Sequence, residues 1–218
     1  MPAPAVAQLG ARLVPDWRDV ATRVAEAARE LAARGWTPAT AGNFSARIDA
    51  STALITVSGR DKGRLTAADF LLVDLEGRVI DGSGKPSAET PLHVQLYRHD
   101  PAIGAVLHTH SLRQTVAGRL LANEGGIRFE GYELLKAFAG VGTHETQVML
   151  PVFANTQDMP ELAQRVQRRL ASDEPLYGYL IDSHGIYAWG SDLDDAMRNL
   201  EAFDFLLGCE LELRRLSR

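Results

Sequence analysis

The chain has 218 residues, a formal charge of −5, 45% hydrophobic and 23% charged residues, a balance that allows one packed α/β domain and excludes a disordered chain. No Lys/Arg run gives an electrostatic footprint for nucleic acid, and no apolar run approaches the ~18 residues that span a bilayer. The single cysteine, Cys209, excludes a disulfide framework within the chain and favours a cytoplasmic setting.

One domain is expected over residues 1–218, with 1–14 as a poorly ordered tail. Asp16 is placed to cap a helix whose Trp17, Val20, Ala21, Val24, Ala28 and Leu31 recur at helical spacing until Gly35 stops it. A glycine turn at Gly42 feeds an alternating strand through Ile48, and Ala53 to Val57 is a second strand ending in Ser58-Gly59. Leu71 to Asp74 and Arg78 to Ile80 flank Glu76-Gly77 as a hairpin, so this part of the sheet is antiparallel. Ser87 is placed to cap a helix through Leu92 and Leu96 that must end before Asp100-Pro101, because proline disfavours α geometry in the residue before it. After a strand at 105–111, helices are expected over 112–122, 132–138 and 159–170, and strands over 148–153, 178–181 and 186–189. The last helix carries a Ser191/Asp194 capping box and an apolar stripe from Leu193 to Leu211. Hairpins and crossover helices together give a mixed sheet covered on both faces.

The most informative stretch is Ala105-Val106-Leu107-His108-Thr109-His110-Ser111. Alternation along a strand aims both imidazoles at one face, which makes half of a site for a divalent metal such as Zn²⁺. The competing reading is a His pair on a solvated strand face. A catalytic zinc wants a third ligand, and His184, in Asp182-Ser183-His184-Gly185 between two apolar strands, is the best candidate because the glycine lets the backbone bend and aim the ring. His144 is a weaker candidate, and His93 and His99 read as ordinary helix residues. Glu89 and Glu133 each read singly as a first-turn acid; beside a metal either can serve as general acid or base. Gly42, Asn43, Ser58, Gly59 and Ser87 put short polar side chains and amides at element ends, suited to phosphate oxygens, although each alone is an ordinary turn or cap.

In order and spacing, Ala41-Gly42-Asn43-Phe44-Ser45, Ser58-Gly59, Lys85-Pro86-Ser87-Ala88-Glu89, His108-Thr109-His110-Ser111 and Ser183-His184-Gly185 resemble the class II, zinc-dependent aldolase/adducin family over nearly the whole chain. Phe129 to Lys136, Pro151 to Asp158 and Gly185 to Gly190 resemble its dehydratase branch. The resemblance implies an α/β/α sandwich with a mixed, mostly antiparallel sheet. It implies one Zn²⁺ per subunit on His108, His110 and His184, a phosphate pocket at Gly42, Asn43, Ser58, Gly59 and Ser87, and a homotetramer with active sites near subunit boundaries. Within the dehydratase branch the acid/base is Glu133, while Glu89 stands where the aldolases place their carboxylate and is a second candidate. The implied reaction is loss of water from a methylthio-substituted ketopentose 1-phosphate, with neither nucleic acid nor membrane as partner. The alternatives are an aldolase or epimerase on the same scaffold and, more remotely, a metal-free adducin-like interaction domain. Aldolases of this type often rely on a C-terminal tyrosine, and no Tyr follows Tyr187.

Overall fold

A computed structural model describes residues 16–217, so the expected tail at 1–14 lies outside the described residues. The elements are α1 (Trp17–Ala33), β1 (Asn43–Arg47), β2 (Thr52–Thr56), β3 (Phe70–Asp74), β4 (Val79–Asp81), α2 (Thr90–His99), β5 (Ala105–Thr109), α3 (Leu112–Leu121), β6 (Gly126–Glu130), β7 (Gln147–Phe153), α4 (Met159–Leu170), β8 (Gly178–Ile181), β9 (Gly185–Gly190) and α5 (Leu193–Leu216). All nine strands join one sheet in the order β4-β3-β2-β1-β5-β9-β8-β7-β6. Every neighbouring pair is antiparallel except β7 and β8. A parallel pair cannot be closed by a tight turn, and α4 supplies the crossover.

Alternation along the central strands sends side chains to two separate cores. On one face, Val24 and Leu31 of α1 and Leu200, Phe203 and Leu207 of α5 pack on Phe44, Leu54 and Leu107. On the other, Leu92 and Leu96 of α2 and Leu162 and Val166 of α4 pack on Ile55, Leu71, Val106 and Tyr179. The result is the expected α/β/α sandwich, with a fully buried β5 at its centre.

Three local expectations are corrected. Ser87 does not cap α2. The cap position is Glu89, and Ser87 instead turns the chain by accepting the Glu89 amide at 3.3 Å. Pro91 in the first turn needs no amide partner there, which sets the later start. The last helix is capped by Asp192, whose carboxylate accepts from the Asp195 amide at 2.8 Å, while Ser191 donates to the Asp195 carboxylate. Glu133–Ala137 is a 3-10 segment, and the edge strand β6 before it was not foreseen.

Candidate metal centre

The sheet brings three chain segments together where β5 stops. Register pairs Asn43 of β1 with His108 and Ile186 of β9 with Thr109, so the start of β1 and the turn before β9 flank His108 near the end of β5 and His110 just beyond the strand, which stops at Thr109 and not at 111 as expected. His108 is fully buried and stacked on Tyr187 at 4.1 Å between ring centroids, and Tyr187 stacks in turn on Tyr179 at 4.8 Å. The His108 Nδ1–H donates to the Ile186 carbonyl at 2.9 Å, which leaves its Nε2 lone pair facing His110 Nε2 at 2.8 Å. Ligand atoms of His108, His110 and His184 all lie within 4.8 Å of one another. Glu89 completes the cluster, with Oε2 3.3 Å from His108 Nε2 and Oε1 3.4 Å from His184 Nε2.

Two of the three rings, His108 and His110, sit where the neutral form is favoured at pH 7. Burial first, and then the neighbouring His184, hold His108 well below the usual imidazole range. Burial and the two neighbouring histidines bring His110 down to about 3. Neutral imidazole is the ligand form, and lone pairs converging on one another and on a carboxylate repel unless a cation lies between them. Three imidazoles with an open side facing a carboxylate match the donor set of a catalytic zinc, whose Zn–N bonds of ~2.0–2.1 Å bring ligand nitrogens to comparable separations.

Local backbone explains the aim of each ring. His184 follows Asp182-Ser183, and the bend that turns it inward is at Ser183, which adopts φ 54°, not at the glycine after it. Gly185 is required for a different reason, since a Cβ there would collide with the Thr109 carbonyl. Gly42 meets both conditions: its φ is 83°, and a Cβ would lie 2.6 Å from the His108 carbonyl oxygen. The run Ala39, Thr40, Gly42 is left-handed at φ 50°, 67° and 83°. Such backbone persists only where surroundings over-determine it. Here the buried Lys62 donates to the Thr40 and Arg60 carbonyls at 2.7 and 2.8 Å, and the His110 amide donates to the Trp36 carbonyl at 2.8 Å.

The phosphate-type positions gather at the same end. Thr56, ending β2, accepts from the Phe44 amide at 3.2 Å, and Ser58 donates its amide to the Lys85 carbonyl at 2.9 Å. Gly42-Asn43 adjoins His108, Ser87 leads into Glu89, and Ser58-Gly59 follows β2 at the same end of the sheet, with β1 between β2 and the histidine strand.

The other candidates fall elsewhere. Glu133 is 73% exposed, and its partners are Lys136 and His144, not the three histidines. Lys136 holds its carboxyl below the ordinary range. Strand direction accounts for this: β6 runs opposite to β7, its last residue Glu130 pairs with Gln147 at the start of β7, and the histidines stand at the end where β7 finishes. His144 stays with Glu133, and His99 ends α2. Two residues outside the sequence-based set belong to this end. Lys62 sits in Arg60-Asp61-Lys62, which reads as a solvated charge run. His93 carries a legible signal, because Glu89, His93 and Tyr97 recur every four residues and so share one face of α2.

The family model described as Class II Aldolase and Adducin N-terminal domain matches residues 22–211. The chain belongs to this family. Among class II aldolase relatives, a Stenotrophomonas maltophilia protein named methylthioribulose-1-phosphate dehydratase is 61% identical over 188 residues, covering 86% of this chain and 88% of its own. A Xanthomonas campestris protein of the same name is 60% identical, covering 86% of each chain. Among solved structures, L-fuculose-1-phosphate aldolase from Thermus thermophilus superposes with a TM-score of 0.73 at 26% identity, covering 92% of this chain and 98% of that one. A putative aldolase/epimerase/decarboxylase from Klebsiella pneumoniae gives 0.77 at 25%, covering 90% of each.

Proposed function

We propose that this class II aldolase-family chain is a zinc-dependent methylthioribulose-1-phosphate dehydratase, forming 2,3-diketo-5-methylthiopentyl 1-phosphate and water in methionine salvage. The observation that carries the reading is the convergence of His108, His110, His184 and Glu89 in a chain about 60% identical to proteins of that name.

His108, His110 and His184 would hold one zinc, which as a Lewis acid supplies polarisation of the C2 ketone and C3 hydroxyl oxygens. Gly42, Asn43, Ser58, Gly59 and Ser87 receive the phosphate and set the substrate's reach towards the histidines. A carboxylate removes the C3 proton, the C4 hydroxyl departs as water with a proton from a general acid, and the resulting enol becomes the diketone. Glu89 is the carboxylate that the chain itself brings to the cluster. Glu133 acts as the second acid/base, supplied by a neighbouring copy in a homotetramer. Its exposure supports this, as do the exposed Leu134 and Phe205 near it and Leu112, 80% exposed, directly after the metal strand. Among the described residues no helix is long and apolar enough to cross a membrane, and the reading places the enzyme in the cytoplasm.

The test is incubation of zinc-assayed protein with 5-methylthioribulose 1-phosphate. Appearance of the diketone is expected; cleavage to a three-carbon fragment replaces the reading with an aldolase.

A further inference from the structure

Behind Glu89 runs a continuous chain of buried side chains. Asn43 Nδ2 donates to Glu89 Oε2 at 2.6 Å, His93 Nε2 meets Asn43 Oδ1, His93 Nδ1 meets Ser45 Oγ at 2.7 Å, and Ser45 Oγ meets the Tyr97 hydroxyl at 2.7 Å. Asn43, Ser45, His93 and Tyr97 are each at most 4% exposed. Donor and acceptor roles propagate along such a chain from one fixed end. A carboxylate can only accept, so Asn43 must present its NH₂ to Glu89 and its Oδ1 to His93. The His93 proton is then on Nε2, and Nδ1 accepts from the Ser45 hydroxyl, which accepts from Tyr97. Each bond points towards Glu89.

We propose that His93 is a positioning residue: as its Nε2–H tautomer it locks the Asn43 amide in the one orientation that donates to Glu89, and so holds that carboxylate against the histidine cluster. This rests on the reading of Glu89 as an acid/base. Burial brings His93 down to about 4, in keeping with a neutral ring. Without the ring, the Asn43 amide is free to rotate by 180°, turning Oδ1 towards the carboxylate and releasing it from its position. The ring bonds to Asn43 and Ser45 and stands outside the three clustered histidines, so its loss acts on turnover more than on metal binding.

Three measurements test this. In the wild type, ¹⁵N shifts of His93 should report the Nε2–H tautomer; an Nδ1–H tautomer overturns the proposal with no substrate needed. His93→Leu should lower kcat about 10- to 100-fold, the range usual for removal of an orienting partner, with zinc content retained and KM changed by less than about 3-fold. His93→Gln, whose amide can donate to Asn43 and accept from Ser45, should recover kcat to within about 3-fold of wild type. Wild-type kcat in His93→Leu, or equal losses in both variants, overturns the positioning role. A wild type that carries the Nε2–H tautomer yet does not dehydrate the substrate overturns the assigned reaction and leaves the chain's direction standing.

Discussion

The two carboxylates singled out in the sequence sit in opposite surroundings. Glu89 is 14% exposed and held by Asn43 and, through it, by three further buried polar side chains, at the end of a sheet where three segments converge. Glu133 is 73% exposed on a 3-10 segment after an edge strand, paired with a surface lysine, next to apolar side chains that nothing among the described residues covers. One environment is closed by the chain's own residues and the other faces outward. Under the proposed reading, Glu89 is positioned by its own fold, and Glu133 takes a second copy of the chain to complete its surroundings.

The largest test of that contrast removes the closed side. His108→Ala deletes a ligand and leaves a cavity in a fully buried layer, so zinc should be lost and turnover should fall by at least about 1,000-fold; a variant with normal metal content and turnover sinks the histidine centre. Glu133→Gln should lower kcat by about 100- to 1,000-fold with zinc and thermal midpoint unchanged, since the residue is exposed. The sharper version mixes subunits. Glu133→Gln and His184→Ala proteins, each inactive, should regain activity when unfolded and reassembled together, because a site can then take its ligands from one chain and its acid from another. No regain would place Glu133 in its own chain's site or outside catalysis.

Acid should act on the closed region first. His93 has a folded pKa of about 4 against about 6.5 unfolded, so the unfolded state binds more protons as pH falls through this window. Stability is fully present above the unfolded pKa and is lost as pH falls from about 6.5 towards 4, by about 2 kcal/mol at pH 5 from this residue alone. Denaturant titrations of metal-free protein at pH 7 and 5 should show it, and His93→Leu should flatten the difference. The smallest effect belongs to Ser183, a non-glycine residue at φ 54°. Ser183→Gly should raise stability by about 1 kcal/mol, or about 2–4 °C in Tm, with zinc retained. A lower midpoint would mean that the Ser183 hydroxyl bond to Asp182, 2.7 Å long, outweighs the backbone strain.

Much of the architecture was legible. The helix from Trp17, the hairpin at Glu76-Gly77, the helix at Met159–Leu170 and the strand carrying His108 are set by local periodicity and turn residues, and each lies where expected. Caps were less legible because each helix start offers neighbouring polar residues: Ser87 turns the chain two residues before the cap position at Glu89, and Asp192, beside Ser191, takes the Asp195 amide. His93 reads as an ordinary helix residue and stands outside the clustered histidines, as a buried side chain of α2, although its spacing from Glu89 and Tyr97 puts all three on one face. Lys62 had no such signal: its burial comes from the strained Thr40 turn, which meets it only in three dimensions.

By itself the sequence determined the layered fold and pointed to the three histidines, since alternation and glycine placement act over a few residues, while the family came from the resemblance of its motifs. Only the tertiary structure decided that Glu89 stands among those histidines while Glu133 does not. Strand order and direction fix that choice: register brings Asn43 beside His108, whereas the reversal at β6 carries Glu133 to the far end of the sheet. No local pattern encodes which end of a sheet a distant residue will reach.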